Sequence, residues 1–281
     1  MKILDFHAHC GAFNDRMFDK HRLFTAAGLD ALASSSGVSG MAVSPLEGLA
    51  GENGLPGEKP LLDETRANEE LLDRLAPYPK LIPFFACQPG MGNADSIRKL
   101  LKRHPGKARG LKFHPYHLNI PADDPAYTPY LAIAADFGLP CLFHTAPGAS
   151  NPSAIYAQAR KVPHAAVVLG HINMFGDYGE GIGTAERAAE TGDANLFLEV
   201  SWAPASAIVE AVKRAGPDKV LFGTDAPFGK GGKEATPEIY AERIGEIRTA
   251  IRAAFGRDGD SILEAMFYRN AEKLLGIKQA E

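Results

Sequence analysis

The chain has 281 residues, 45% of them apolar and 23% charged, with a formal net charge of −4. Nothing in this departs from an ordinary globular protein, and the charge gives no footing for nucleic acid or an anionic membrane. No apolar run approaches the ~20 residues of a membrane span, the first residues lack the regions of a signal peptide, and Cys10, Cys87 and Cys141 form no close pair, so reduced thiols and a cytoplasmic location are expected.

The first predicted element is a short buried strand, Met1 to His9. Strand side chains alternate, so Asp5, His7 and His9 are expected on one face and Leu4, Phe6 and Ala8 on the other. Two imidazoles on one face of a strand can grip a single ion. A polar, irregular stretch follows to about Arg22, then a helix to about Ser35 and a second strand, Gly40 to Pro45. The Gly/Pro-rich loop from Leu46 to about Pro60 reads equally as a pocket wall or as a disordered surface loop.

A helix is predicted from Asp63 to Leu75, and a third strand from Leu81 to Cys87 with Pro83 near its start. A helix capped by Asp95 or Ser96 runs to Arg103. The fourth strand, Ala108 to His114, is stopped by Pro115, and a helix from about Ala126 to Phe137 stops at Gly138. Strands then recur at Pro140–His144, Ala165–His171, Asn195–Ser201 and Val220–Asp225, separated by helices at about Ser153–Arg160, Thr184–Glu190 and Ala205–Arg214. Two closing helices span about Pro237–Ala254 and Ser261–Leu275.

Eight short, apolar strands alternating with helices argue for a parallel sheet buried on both faces. Over this length they predict a single-domain α/β protein spanning 1–281, a closed (β/α)8 TIM barrel. An open doubly wound sheet is the alternative, but no Gly-rich phosphate loop follows the first strand.

Five of these strands end in residues with metal or proton chemistry: His7 and His9, Lys112 and His114, His144, His171, and Asp225. In a barrel all such ends meet at one mouth. One buried histidine is more often a packed core residue than a ligand. Burying an ionisable group costs several kcal/mol unless it is paired or coordinates a metal, so these histidines and an aspartate at the same end of their strands are poorly explained as packing. Nitrogen and oxygen donors of this kind suit Zn²⁺ best, with Mn²⁺, Fe²⁺ or Co²⁺ as alternatives, and an open position makes such a site catalytic. His21, His104, His117 and His164 are expected at the surface, with His117 the one exception to consider because it follows the fourth strand. Glu199, Ser201 and Trp202 are candidates to line the pocket, Cys10 is expected to face away from His9, and Asp5 to bond a ligand histidine or to fill the interior.

These motifs resemble the amidohydrolase superfamily, in its branch of TIM-barrel metal-dependent hydrolases related to aminocarboxymuconate-semialdehyde decarboxylase. The resemblance is carried by Asp5-Phe6-His7-Ala8-His9, Gly110-Leu111-Lys112-Phe113-His114-Pro115, Phe143-His144, Gly170-His171 and Gly223-Thr224-Asp225-Ala226-Pro227-Phe228, and reaches Asn270–Gly276, so it covers nearly the whole chain. It implies His7, His9, His144 and Asp225 as the metal ligands of a one-metal member, and His171 as a base or electrostatic stabiliser beside the activated water. It implies Asp225 as the group that moves a proton from that water to the leaving group. In two-metal members a carbamylated lysine at the position of Lys112 bridges the ions, and His144 and His171 would then hold the second. One divalent ion is the expectation. Lys112, His114 and Trp202 are expected to contact substrate.

The resemblance therefore implies a metal-dependent hydrolase of a small-molecule amide, lactone or ester, with no nucleic-acid or membrane partner; a homodimer would fit it. The alternative is a non-oxidative decarboxylase of an unsaturated or aromatic acid, for which Arg16, Arg22 and Lys59 lie in loops suited to holding carboxylates. A barrel that binds metal or ligand without catalysis is the third reading.

Overall fold

The computed structural model describes residues 1–15, 20–229 and 234–277. The first strand, β1 (Leu4–Asp15), runs six residues past His9, and β2 (Lys20–Phe24) returns antiparallel to it. A hairpin thus replaces most of the expected irregular stretch. Its aromatic residues account for this: Phe13 and Phe24 both pack edge-on against Phe228, at 5.5 and 5.4 Å between ring centroids.

From β1 the chain adds parallel strands in sequence order. These are β3 (Gly40–Pro45), β4 (Leu81–Ala86), β5 (Gly110–Phe113), β6 (Cys141–His144), β7 (Ala166–Gly170), β8 (Asn195–Glu199) and β9 (Val220–Leu221). The result is one curled nine-stranded sheet ordered β2-β1-β3-β4-β5-β6-β7-β8-β9. β9 is shorter than expected because the residues after it bond elsewhere. Phe222 N–H reaches Met266 O, while Phe6 N–H donates to Phe222 O, Asp225 N–H to His7 O and His9 N–H to Ala226 O. These last three bonds bring the far edge of the sheet against β1.

The helices cover the outside: α1 (Ala26–Ser35), α2 (Glu64–Leu75), α3 (Ala94–Arg103), the single turn α4 (Pro115–Leu118), α5 (Thr128–Phe137), α6 (Pro152–Ala159), α7 (Tyr178–Thr191), α8 (Ala205–Ala215), α9 (Pro237–Phe255), α10 (Gly259–Glu264) and α11 (Asn270–Leu275). α3 is capped by Asn93, one turn-start earlier than expected, its side chain accepting from Asp95 N–H. α5 ends at Gly138 with φ +65°, the left-handed stop its sequence predicts. None of the described helices is long and apolar enough to cross a membrane.

The packing separates into two apolar sets. Outward residues such as Ala8, Cys10, Phe85, Phe113, Phe143 and Leu198 join the helices in the larger one. The smaller set holds inward residues of the strands, Leu4, Phe6, Ala42, Phe84, Leu142, Val168, Phe197 and Leu221, with Tyr268, Ala271 and Leu275 from the closing helical segment. It plugs the N-terminal end of the curled sheet. Two residues further along, these positions carry Ser44, Ala86, His144, Gly170, Glu199 and Gly223, and Lys112 of β5 stands beside them with its Nζ at His7. Strand periodicity alone therefore sets a polar layer directly on top of an apolar plug.

β1 breaks this periodicity, and the break matters. Its register against β3 shifts between Asp5 and Ala8. Leu4 and Phe6 belong to the inner plug, whereas Ile3, Ala8 and Cys10 pack outward. The irregularity turns His7 and His9 inward above Phe6, and leaves Asp5 facing Tyr240 of α9, whose hydroxyl donates to it. The expectation that Asp5 shares the histidines' face is corrected on this ground; bulges re-aim side chains in this way beside functional sites. Cys10 faces away from His9, as expected.

Candidate metal centre

One nitrogen or oxygen each from His7, His171 and Asp225 lies within 4.8 Å of the other two, and all three residues are buried. His9 joins them: its Nε2 is 3.1 Å from Asp225 Oδ1 and 3.2 Å from His7 Nε2. Asp225 Oδ1 is also 3.4 Å from His7 Nε2. Three strand ends thus converge on one point.

The hydrogen bonds fix which atoms face that point. Glu199 is fully buried at the end of β8, and its Oε2 lies 2.8 Å from His7 Nδ1. It also accepts from His171 N–H and from the Ser201 hydroxyl, while Oε1 accepts from Ser201 N–H. With Nδ1–H given to the carboxylate, His7 presents Nε2 as an acceptor. Ser201 spends its one hydroxyl proton on Glu199, so it accepts at 2.7 Å from His171 Nδ1–H, and His171 also presents Nε2. His9 Nδ1 lies 2.8 Å from the Ser44 hydroxyl. Asp225 Oδ2 accepts from Trp202 Nε1–H at 2.8 Å, which leaves Oδ1 toward the histidines.

Space for this arrangement comes from glycine. A Cβ on Gly223 would stand 2.3 Å from Glu199 Oε1, and one on Gly170 would press on Phe143 O and His7. His171, Trp202 and Asp225 all have left-handed backbone, with φ of +65°, +63° and +63°. Such residues cost about 1 kcal/mol or more each and persist where surrounding contacts impose them. Asp5 works from behind the site: its Oδ1 accepts from His7 N–H and Thr224 N–H, and its Oδ2 bonds the Thr224 and Tyr240 hydroxyls. It holds the backbone of the ligand-bearing strands rather than an imidazole.

Burial governs the proton affinities. It lowers His171 to about 3, against the pull of the Asp225 charge, and lowers His7, His9, His114 and His144 as well. It raises Glu199 to about 8, opposed by the bonds from Ser201 and His171. Burial alone would raise Asp225, but the facing His171, the bond from His9 and the Lys112 charge hold it below its usual value. Lys112 is fully buried and lowered by burial to about 8, with its Nζ 2.7 Å from His7 Nε2.

The remaining predicted residues stand on the other side. His144 is outside the tight group, its ring 5.0 Å from that of His171 and stacked on His114 at 4.1 Å and 12°. His114 lies 4.1 Å from His117, which is only partly exposed and not a surface residue. His117 Nδ1 is buried without a hydrogen-bond partner. The loop after β3 supports this wall, since Gly57 N–H donates to His117 O. Trp202 is reached through Asp225 rather than through the stacked rings. Arg22 is buried in β2, Lys59 is exposed, and Arg16 lies outside the described residues.

Sequence reasoning placed Glu199 and Ser201 near the pocket without their roles, gave Asp5 a bond to a ligand histidine that it makes to the His7 backbone instead, and missed Ser44. A lone carboxylate ending the apolar run Asn195-Leu196-Phe197-Leu198-Glu199 was the available signal.

A curled α/β sheet with imidazoles and a carboxylate gathered at the C-terminal ends of its parallel strands defines an α/β enzyme with a site built for a divalent ion. The chain belongs to the amidohydrolase family, whose profile its residues 57–277 match. Among solved structures it is similar to a dihydroxybenzoic acid decarboxylase from Polaromonas sp. JS666 with bound manganese and the inhibitor 2-nitroresorcinol. The TM-score is 0.71 and the identity 15%, over 99% of this chain and 98% of that one. A candidate 2-pyrone-4,6-dicarboxylic acid hydrolase from Pseudomonas putida gives a TM-score of 0.68 at 14% identity, over 99% and 98% of the two chains. The apo IDCase of Metarhizium anisopliae gives 0.67 at 13%, over 99% and 98%. No curated protein matches the sequence.

Proposed function

We propose that this chain is a single-domain, closed (β/α)8 barrel that acts as a metal-dependent hydrolase on an amide, lactone or ester of a small molecule. The observation that carries the reading is the convergence of His7, His171 and Asp225 within 4.8 Å, with His9 3.1 Å from Asp225. The donor set fits a divalent ion: nitrogen and oxygen atoms only, with the second nitrogen of His7, His9 and His171 already engaged by Glu199, Ser44 and Ser201. His7, His9 and Asp225 would hold one ion, most simply Zn²⁺ or Mn²⁺; His144, outside the tight group with its ring 5.0 Å from that of His171, would complete the set as the resemblance implies. When bound, the ion supplies Lewis acidity and lowers the pKa of a water toward about 7.

The chain's own residues do the rest. Asp225, fixed at Oδ2 by Trp202, offers Oδ1 to accept a proton and pass it to the leaving group. His171, neutral and aimed by Ser201, faces the charge that develops on the substrate oxygen. Lys112 supplies a buried cation beside His7, and its low proton affinity leaves it able to carry a carbamate if a second ion binds. The rings of His114 and His117, with His114 stacked on His144, form the wall against which a substrate rests.

A second reading has its own support. Similar structures bear the names of decarboxylases, 2,6-dihydroxybenzoate decarboxylase and 5-carboxyvanillate decarboxylase among them. In that reading the same residues would hold the ion, and His171 would help deliver a proton to the carbon that loses CO₂.

The test is metal analysis of the purified protein, then a screen of lactones, amides and aromatic acids that scores hydrolysis and CO₂ release separately. About one equivalent of a divalent ion, loss of activity on chelation and product without CO₂ are expected. CO₂ release without hydrolysis selects the second reading. A protein without metal, in which His7→Ala changes neither metal content nor any activity, would falsify both.

A further inference from the structure

We propose that Arg243 of α9 is a positioning residue for the metal centre, clamping the loop that carries Ser201 and Trp202. Its NH2 donates to Val200 O at 3.0 Å and to Ala203 O, the two carbonyls that bracket that pair. Between the brackets sit the two side chains that aim different members of the site. Ser201 Oγ bonds His171 Nδ1, and Trp202 Nε1 bonds Asp225 Oδ2. One guanidinium on the outer layer therefore governs groups from two strand ends.

The loop needs such a clamp. Trp202 has φ +63°, a conformation a non-glycine side chain keeps only where its surroundings impose it. Among the described residues Arg243 has one carboxylate within ion-pair range, the exposed Glu246 at 3.5 Å, so the carbonyls are its closer partners. A planar guanidinium carries several donors in fixed directions and can bridge two carbonyls; an ammonium on a flexible stem cannot reproduce that geometry. Beside Arg243 lies a cavity of about 960 Å³, lined in part by Ser201, Trp202, Phe228 and Tyr240. A guanidinium ion fits such a space, which makes chemical rescue possible.

The inference rests on the metal reading above, and the test separates the two. Trp202 is the only tryptophan of the chain, so its emission reports this loop alone. Arg243→Ala and Arg243→Lys would be compared with the wild type and with Arg252→Ala, which removes an exposed cation of the same helix paired with Asp260. Zn²⁺ affinity would be read by competition with a chromophoric chelator, and the loop by Trp202 emission.

Arg243→Ala is expected to bind Zn²⁺ about 10- to 100-fold more weakly, as loss of an outer support does, with shifted emission. Millimolar guanidinium restores both, Arg243→Lys falls between, and Arg252→Ala behaves as wild type. If Arg243→Ala does not fold, Arg243→Lys decides the matter by the same two readouts. Wild-type affinity and emission in the Arg243 variants overturn the proposal, and so does a loss that guanidinium leaves unchanged. If the wild type binds no Zn²⁺, the metal reading fails, and the emission change with its rescue still decides the clamp.

Discussion

The two sides of the strand-end cluster are built on different principles. On the β7–β8–β9 side, Glu199, Ser201, Trp202, His171 and Asp225 are joined by hydrogen bonds of 2.6 to 3.1 Å, with three of them on left-handed backbone. On the β5–β6 side, the His114 ring lies 4.1 Å from both its neighbours, stacked on His144 at 12° and tilted by 38° against His117. The hydrogen bond that joins two of these three residues is a long one, from His117 N–H to His114 Nδ1 at 3.3 Å. The first side spends directional bonds to hold atoms in place, as ion binding requires. The second relies on ring packing, which lets planes slide, and that suits a surface meeting a substrate. Position and adaptability are thus divided between halves of one mouth.

The sharpest way to break this comparison is on the bonded side. Asp225→Ala removes an anionic donor shared with both His7 and His9, and Zn²⁺ affinity should fall beyond the ~100-fold that loss of an outer partner costs. Calorimetric titration of the metal-free protein reads it. Glu199→Gln should come next. The amide keeps the shape but must set its NH₂ against one of four donors, those of His7 Nδ1, His171 N, Ser201 N and Ser201 Oγ. Metal affinity should drop about 10- to 100-fold and folding stability by about 1–3 kcal/mol, the latter read from denaturant unfolding.

The stacked side should answer differently. His114→Phe preserves a ring against His144 and His117, so metal affinity should hold while KM changes. An affinity loss as large as that of Glu199→Gln would end the distinction between the halves. The smallest effect concerns His117, whose proton affinity burial lowers from 6.5 to about 4. Between those values the unfolded chain takes up a proton that the folded one refuses, so stability is full above pH 6.5 and is lost as pH falls toward 4. His117→Phe should flatten that loss in the metal-free protein by on the order of 1–2 kcal/mol between pH 7 and 4, since the group is partly exposed. Urea unfolding across that range measures it.

Much of this was readable before any coordinates. Strands β5 to β8 announced themselves as short apolar runs, because a strand buried on both faces has no polar side to confuse the pattern. Lys112, His144 and Glu199 followed from the same register, whereas His171, one residue past the inward Gly170, is turned by its left-handed backbone. The hairpin of β1 and β2 was not readable, since its stability comes from Phe13 and Phe24 meeting Phe228, more than 200 residues away. The bulge in β1 was hidden for a related reason: alternation predicts faces only while the register holds. Glu199 looked like a pocket residue in sequence, but its bond to His7 exists only once the sheet has curled. The same holds for Trp202, whose bond to Asp225 joins residues that no local pattern links.

The left-handed backbone at Asp225 carries a consequence for anyone who tries to harden this protein against heat. Glycine occupies that conformation without steric penalty, yet Asp225→Gly would give up a charge that His171, His9 and Lys112 stabilise and leave Trp202 Nε1–H without its acceptor. Relief of backbone strain and loss of these partners oppose one another, so in the metal-free state such a chain should gain no heat resistance while having lost a ligand. Selection for thermal survival alone would therefore leave this aspartate in place, strained backbone and all.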